Sequence, residues 1–147
     1  MKKLMVVLSL VFAAAAAEAS VGWSWWMENN EAVDVSFGLA SRRSKVNVFE
    51  LNLLYGGSDI ERGVQWTFMG INDSDKAQVL QLAPWFNRGD DACVQLGFVN
   101  MSKSNIFTLG FINVADTSKV QLGLLNFNKN GFLPVFPFIN LDKSLFE

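Results

Sequence analysis

The chain of 147 residues has no histidine, a single cysteine, three prolines and one tyrosine. Without histidine the Ser-His-Asp and Cys-His constellations are excluded, and the commonest ligand of zinc sites is missing. Cys93 stands alone, so no internal disulfide can form and the fold must be held by packing, hydrogen bonds or a membrane. Placed beside an apolar run, Cys93 reads as a small hydrophobe, with no histidine to activate it as a thiolate. An excess of positive charge is also lacking: 12 basic and 14 acidic residues leave a net charge of -2, and no nucleic-acid footprint results. No apolar run is long enough for a membrane helix, which needs ~20 residues.

The first twenty residues, MKKLMVVLSLVFAAAAAEAS, run from Lys2 and Lys3 through an uncharged stretch, Leu4 to Ala17, to Ala17-Glu18-Ala19. This order of charged, apolar and small residues is that of a secretory signal peptide, with cleavage expected after Ala19. Residues 20–147 then form a single repeat-built β domain. Without Lys2, Lys3 and Glu18 it carries ten basic and thirteen acidic residues, a net charge near -3.

What the chain does have is aromatics and repetition. Thirteen phenylalanines and five tryptophans accompany apolar runs separated by Asn, Gly and Ser, a distribution of strands and turns. VQLGFVN from Val94, FTLGFIN from Phe107 and VQLGLLN from Val120 are near copies, with GVQWTFMGIN, VLQLAPWFN and FLPVFPFIN as divergent ones. Gln65, Gln81, Gln95, Thr108 and Gln121 follow one another at spacings of 16, 14, 13 and 13, so each unit is a strand and a turn, too short for a helical hairpin repeat. Period-two alternation puts Val94, Leu96, Phe98 and Asn100 on one face, and Gln95, Gly97 and Val99 on the other.

Polar stretches such as SRRSK, GGSD, NDSDK, NRGDD, MSKSN and DTSK read as hairpin turns. The expectation is an all-β antiparallel meander of about eight or nine short strands, led by a small closed barrel in the outer membrane: bulky residues to lipid, Gln, Gly and Thr inside. A soluble or peripheral antiparallel β domain comes next, and a β-solenoid is the remaining alternative. The solenoid would align Gly97, Gly110 and Gly123, but its coils should keep a constant length. Pro84, Pro134 and Pro137 suit edges, bulges or a capping unit.

The motifs QLGFVN, TLGFIN and QLGLLN resemble those of a poorly characterised family of bacterial surface-repeat proteins, whose units run glycine, leucine, glutamine, apolar, glycine, leucine, apolar, asparagine. The likeness covers residues 94–140, though Val94 and Val120 follow Cys93 and Lys119 instead of the usual glycine. The resemblance implies a cell-envelope location and carries over no catalytic residues.

Carboxylates remain as candidates for chemistry. Asp73 with Asp75, Asp90 with Asp91, and Asp59 with Glu61 lie in polar stretches without EF-hand spacing, and solvated turn positions are the expected role. No catalytic residue, metal or cofactor is assigned. Trp23, Trp25 and Trp26 are the candidate ligand or interface contacts, with Trp23 and Trp25 on one strand face and Trp26 on the other. The function expected is a non-enzymatic, outer-membrane or surface-associated envelope protein with a structural or interaction role. Its partner would be lipid or another envelope protein, and no nucleic acid is expected. The alternative is a soluble periplasmic or secreted ligand-binding module, its small-molecule ligand unidentified.

Overall fold

The computed structural model describes residues 20–27 and 31–146; the expected leader, residues 1–19, lies outside them. Eight strands follow in order: β1 (Val21–Ser24), β2 (Ala32–Glu61), β3 (Val64–Thr67), β4 (Ile71–Leu82), β5 (Phe86–Leu96), β6 (Val99–Leu109), β7 (Ile112–Asn128) and β8 (Val135–Leu141). Neighbours in sequence are neighbours in the sheet, and every pairing from β1 to β7 is parallel. Among the described residues no helix crosses back between these strands. Successive coils therefore stack one above another, with β3 and the first part of β4 both lying on β2, and the chain winds as a β-solenoid.

This corrects the antiparallel meander and the closed barrel. The polar stretches that look like hairpin turns lie within strands: residues 72–76 in β4, 87–91 in β5, 101–105 in β6 and 116–119 in β7. They form a second side of each coil because their small and amide residues point inward. Asn72 and Ser74, Asn87 and Gly89, Asn100 and Ser102, and Asn113 and Ala115 are all buried. A repeat is thus one complete turn of the coil, and Phe86, Val99 and Ile112 stack in register. The drifting repeat length is taken up inside the coils, one residue of it by a register shift between Ala77 and Leu80.

A membrane barrel needs antiparallel strands closed around a lumen. Here the strands are rungs of a stack with a filled interior, so the β-barrel, the outer-membrane or surface-associated function and the outer-membrane or cell-surface location are overturned together. No helix among the described residues is long and apolar enough to cross a membrane. The periplasmic or secreted binding module agrees better with this architecture.

The interior is small and polar. Its buried hydrophobic residues are Val33, Ala40, Val46, Ala77, Ala83, Ala92 and Ala115, with no Leu, Ile or Phe among them. Two amide ladders fill the rest. Along one, each Asn Nδ2 donates to the Oδ1 of the Asn one rung later: Asn72 to Asn87 at 2.9 Å, Asn87 to Asn100 at 2.9 Å, Asn100 to Asn113 at 2.8 Å and Asn113 to Asn126 at 2.8 Å. Second protons go to the backbone, as from Asn87 to the Leu96 carbonyl at 2.8 Å. Along the other, Gln95 donates to Gln81 at 2.8 Å and Gln81 to Gln65 at 3.0 Å. A hydrogen bond contributes only ~1 kcal/mol net, but a buried polar group left without one costs ~1–3 kcal/mol. The ladders therefore hold each coil in register with the next.

Glycine follows from the same crowding. A Cβ on Gly110 would lie 2.3 Å from the Gly97 carbonyl oxygen and 2.4 Å from Asn100 Nδ2. The glycines do share the glutamine side of the strand. Asn100 does not share the Phe98 face, as simple alternation predicts; the chain bends between β5 and β6, and Asn100 enters the interior as the second residue of β6.

The C-terminal end is closed differently. β8 runs antiparallel to β7, Gly131 bridges to Asp142, and a 3-10 turn over Lys143–Leu145 is capped by Asp142, whose carboxylate accepts from the Ser144 amide at 2.9 Å. Pro84 sits between β4 and β5, Pro134 just before β8, and Pro137 within this last strand.

Candidate functional site

With amides and small residues directed inward, the bulky residues of the repeat face outward. Three columns run along one flank. The first includes Val64, Leu80, Val94, Phe107 and Val120 in register. The second carries Leu51, Trp66, Leu82, Leu96, Leu109 and Leu122, with Trp23 paired to Phe37 nearer the N-terminus. The third is aromatic at its centre: Trp85 lies 6.5 Å from Phe98, and Phe98 stacks on Phe111 at 4.8 Å with 6° between planes. None of these residues is charged.

The charges collect on the other side of the coil. Arg42 pairs with Asp59 at 3.6 Å, Arg88 with Asp73 at 3.5 Å, and Lys103 with Asp90 and Lys129 with Asp116 at closer range. These pairs link successive coils on an exposed surface, where each contributes under ~1 kcal/mol. Of the acidic residues expected at solvated turns, Asp59, Asp73 and Asp90 thus serve as inter-coil partners on strands.

Towards the N-terminus the flank opens into an apolar groove of about 430 Å³, lined by Trp23, Trp25, Phe37, Gly38, Leu39, Leu51, Asn52, Leu53 and Phe68. Trp23 and Trp25 are 69% and 76% exposed, so their rings have face to offer to another molecule. Trp26 is exposed as well, but does not line the groove. A neighbouring hollow involves Trp66, Phe68, Leu82, Pro84 and Leu96, extending the concave surface toward the middle coils. Among the described residues no group of three or more His, Cys, Asp or Glu side chains could hold a metal, and Cys93 is a free, half-buried thiol.

Beneath the groove end lies a cluster that sequence reasoning missed. Glu50 occupies the glutamine ladder position, paired in register with Gln65, and is fully buried with Glu61 and Arg43. Gln65 donates to Glu50 Oε2 at 2.8 Å, while Asn52, at 2.9 Å, and Ser41 donate to Oε1. Glu61 accepts from the Gly63 amide at 2.9 Å, and Arg43 Nε donates to Ser36 Oγ at 3.1 Å. Burial, reinforced by the Glu50 charge, pushes the Glu61 carboxyl up to about 8. Burial also raises Glu50, against the pull of its three hydrogen-bond donors and Arg43. At neutral pH Glu61 is therefore the protonated member of the pair. The available signal was the spacing: Glu50 precedes Gln65 by one repeat.

No family model, curated protein or solved structure matches the chain. The fold and the flank together define its class, a β-solenoid with a polar seam inside and an apolar face outside.

Proposed function

We propose that this protein is an exported, non-enzymatic binding module whose working surface is the apolar flank. The observation that carries the reading is the inversion of the repeat: amides occupy the interior, while uncharged columns of Trp, Phe and Leu face outward. Contiguous exposed apolar surface of this kind marks an interaction site. The leader-like N-terminus supports export, and the likeness to surface-repeat proteins supports a role outside the cytoplasm. The buried carboxylates argue against catalysis, because Glu50 and Glu61 are both 0% exposed and cannot reach a substrate.

Titration with an apolar fluorescent dye, at protein concentrations low enough to leave the flank free, tests the reading. Saturable binding is expected, with a shift in tryptophan emission and roughly tenfold weaker affinity in Trp23→Ala and Phe68→Ala. A folded protein that leaves the dye unbound would refute it.

A further inference from the structure

The size and chemistry of the flank identify its occupant. The residues of the three columns, with Trp23 and Phe37, each occupy ~4.8 Å along the stack and ~6.7 Å along the strand, and together cover roughly 500 Å². That lies in the upper part of the range for the largest apolar patch of a typical monomer, ~300–600 Å², a patch that is often functional, and amounts to more than half of the ~800 Å² per partner of a standard stable interface.

Charge decides between occupants. The columns carry no charge of either sign, so two copies of the flank can meet without repulsion. An anionic lipid surface would call for a basic fringe, yet Lys119, the basic residue beside the Val120 column, is engaged by Ser144 and Asp142 at the C-terminal cap. Geometry favours a second copy as well. Leu96, Leu109 and Leu122 repeat at the rung spacing, and two faces with the same spacing can interdigitate as packed sheets do, ~10 Å apart.

We propose that the flank is the face of an isologous dimer of this chain, two solenoids packed flank to flank about a twofold axis. This rests on the flank being the working surface and adds the identity of the partner. With the twofold axis lying in the interface and perpendicular to the solenoid axis, the N-terminal groove of each copy faces the C-terminal rungs of the other, where Leu122 and Leu124 project.

Sedimentation equilibrium of the purified protein, from micromolar to about 100 µM, tests the proposal. The dimer mass is expected, and Leu109→Glu or Leu96→Lys should weaken association at least 100-fold without altering the far-UV circular dichroism. Met101→Lys, outside the three columns, should leave the dimer intact. If Leu109→Glu fails to fold, Leu109→Gln replaces it, and the wild-type mass is informative without any variant. A wild-type monomer at every concentration, or a dimer indifferent to these flank substitutions, overturns the proposal. The two readings fail separately: a monomer that binds apolar dye, and binds it more weakly in Trp23→Ala and Phe68→Ala, keeps the flank as a binding surface but removes the second copy. A monomer that binds no dye removes both.

Discussion

From Asn72 to Asn126 the interior is a neutral ladder advancing by 15, 13, 13 and 13 residues, whereas the earlier coils enclose Arg43, Glu50 and Glu61. The difference follows from what each side chain can do for its neighbour. A primary amide is both donor and acceptor, so Asn can stack on Asn without limit and a nearly constant coil repeats itself. The glutamine ladder has a direction, each Nε2 donating toward the N-terminus, and its first member must meet an acceptor. Glu50, an acceptor when ionised, supplies one. Ending the ladder in this way puts a carboxylate inside the coil, and Ser41, Asn52, Arg43 and the proton on Glu61 accompany it.

The comparison can be broken most severely in the uniform half. Asn100 accepts from Asn87 and donates to Asn113 and the Leu109 carbonyl, so Asn100→Leu leaves several buried groups without partners. A loss of about 3–5 kcal/mol is expected in urea unfolding, at ~1–3 kcal/mol for each orphaned group.

Glu61 sharpens the contrast through pH. Its folded value is about 8 against an ordinary 4.5, so in that window the folded state retains a proton that the unfolded chain has released. Stability from this group is therefore full below pH 4.5, falls as pH rises, and levels off above about 8. Glu61→Gln should remove this group's share of the slope, leaving only that of Glu50, which burial also raises: its Oε1 can still accept from Gly63, and its amide can donate toward Glu50. Thermal unfolding between pH 5 and 9 should show the variant gaining on wild type by a few kcal/mol, at about 1.4 kcal/mol per unit.

Smaller effects separate individual glycines by their tolerance of bulk. Gly110→Ala meets backbone at 2.3 Å, whereas a Cβ on Gly56 meets side-chain ends, Asn52 Nδ2 at 2.8 Å and Thr67 Oγ1 at 2.9 Å. Overpacking costs ~1–3 kcal/mol, and Gly110→Ala should lie at the upper end with Gly56→Ala well below it. Thr108 interrupts the glutamine column, leaving Gln95 Oε1 without a donor from the next coil. Thr108→Gln should join the two segments and raise stability by about 1 kcal/mol, read as a higher urea midpoint.

The three near-identical copies already displayed the repeat, the inward placement of Gln and Gly, and the outward placement of Val94, Leu96 and Phe98. They did not display whether a polar stretch such as NRGDD closes a hairpin or forms another side of a coil. Asn, Gly and Asp suit tight turns, and in the same order they suit a narrow interior that accepts amides and hydrogens. Only the neighbouring coils distinguish the two: Asn87 needs Asn100 above it before its amide has somewhere to go. The candidate site was divided in the same way. Trp23 and Trp25 stood out as clustered aromatics, but Phe37, Leu51, Leu53 and Phe68 reach the same groove from other coils, and no local pattern joins residues so far apart.

Local chemistry therefore determined the alternation of amide and bulky residues, the length of the repeating unit, the poverty of catalytic groups and the all-β class. Strand direction, the closing of each repeat into a coil, the pairing of Glu50 with Glu61 and the assembly of an apolar flank were decided by tertiary structure. The physical reason is that period two states which residues share a face of one strand, whereas whether the next strand returns parallel or antiparallel depends on hydrogen bonds between coils.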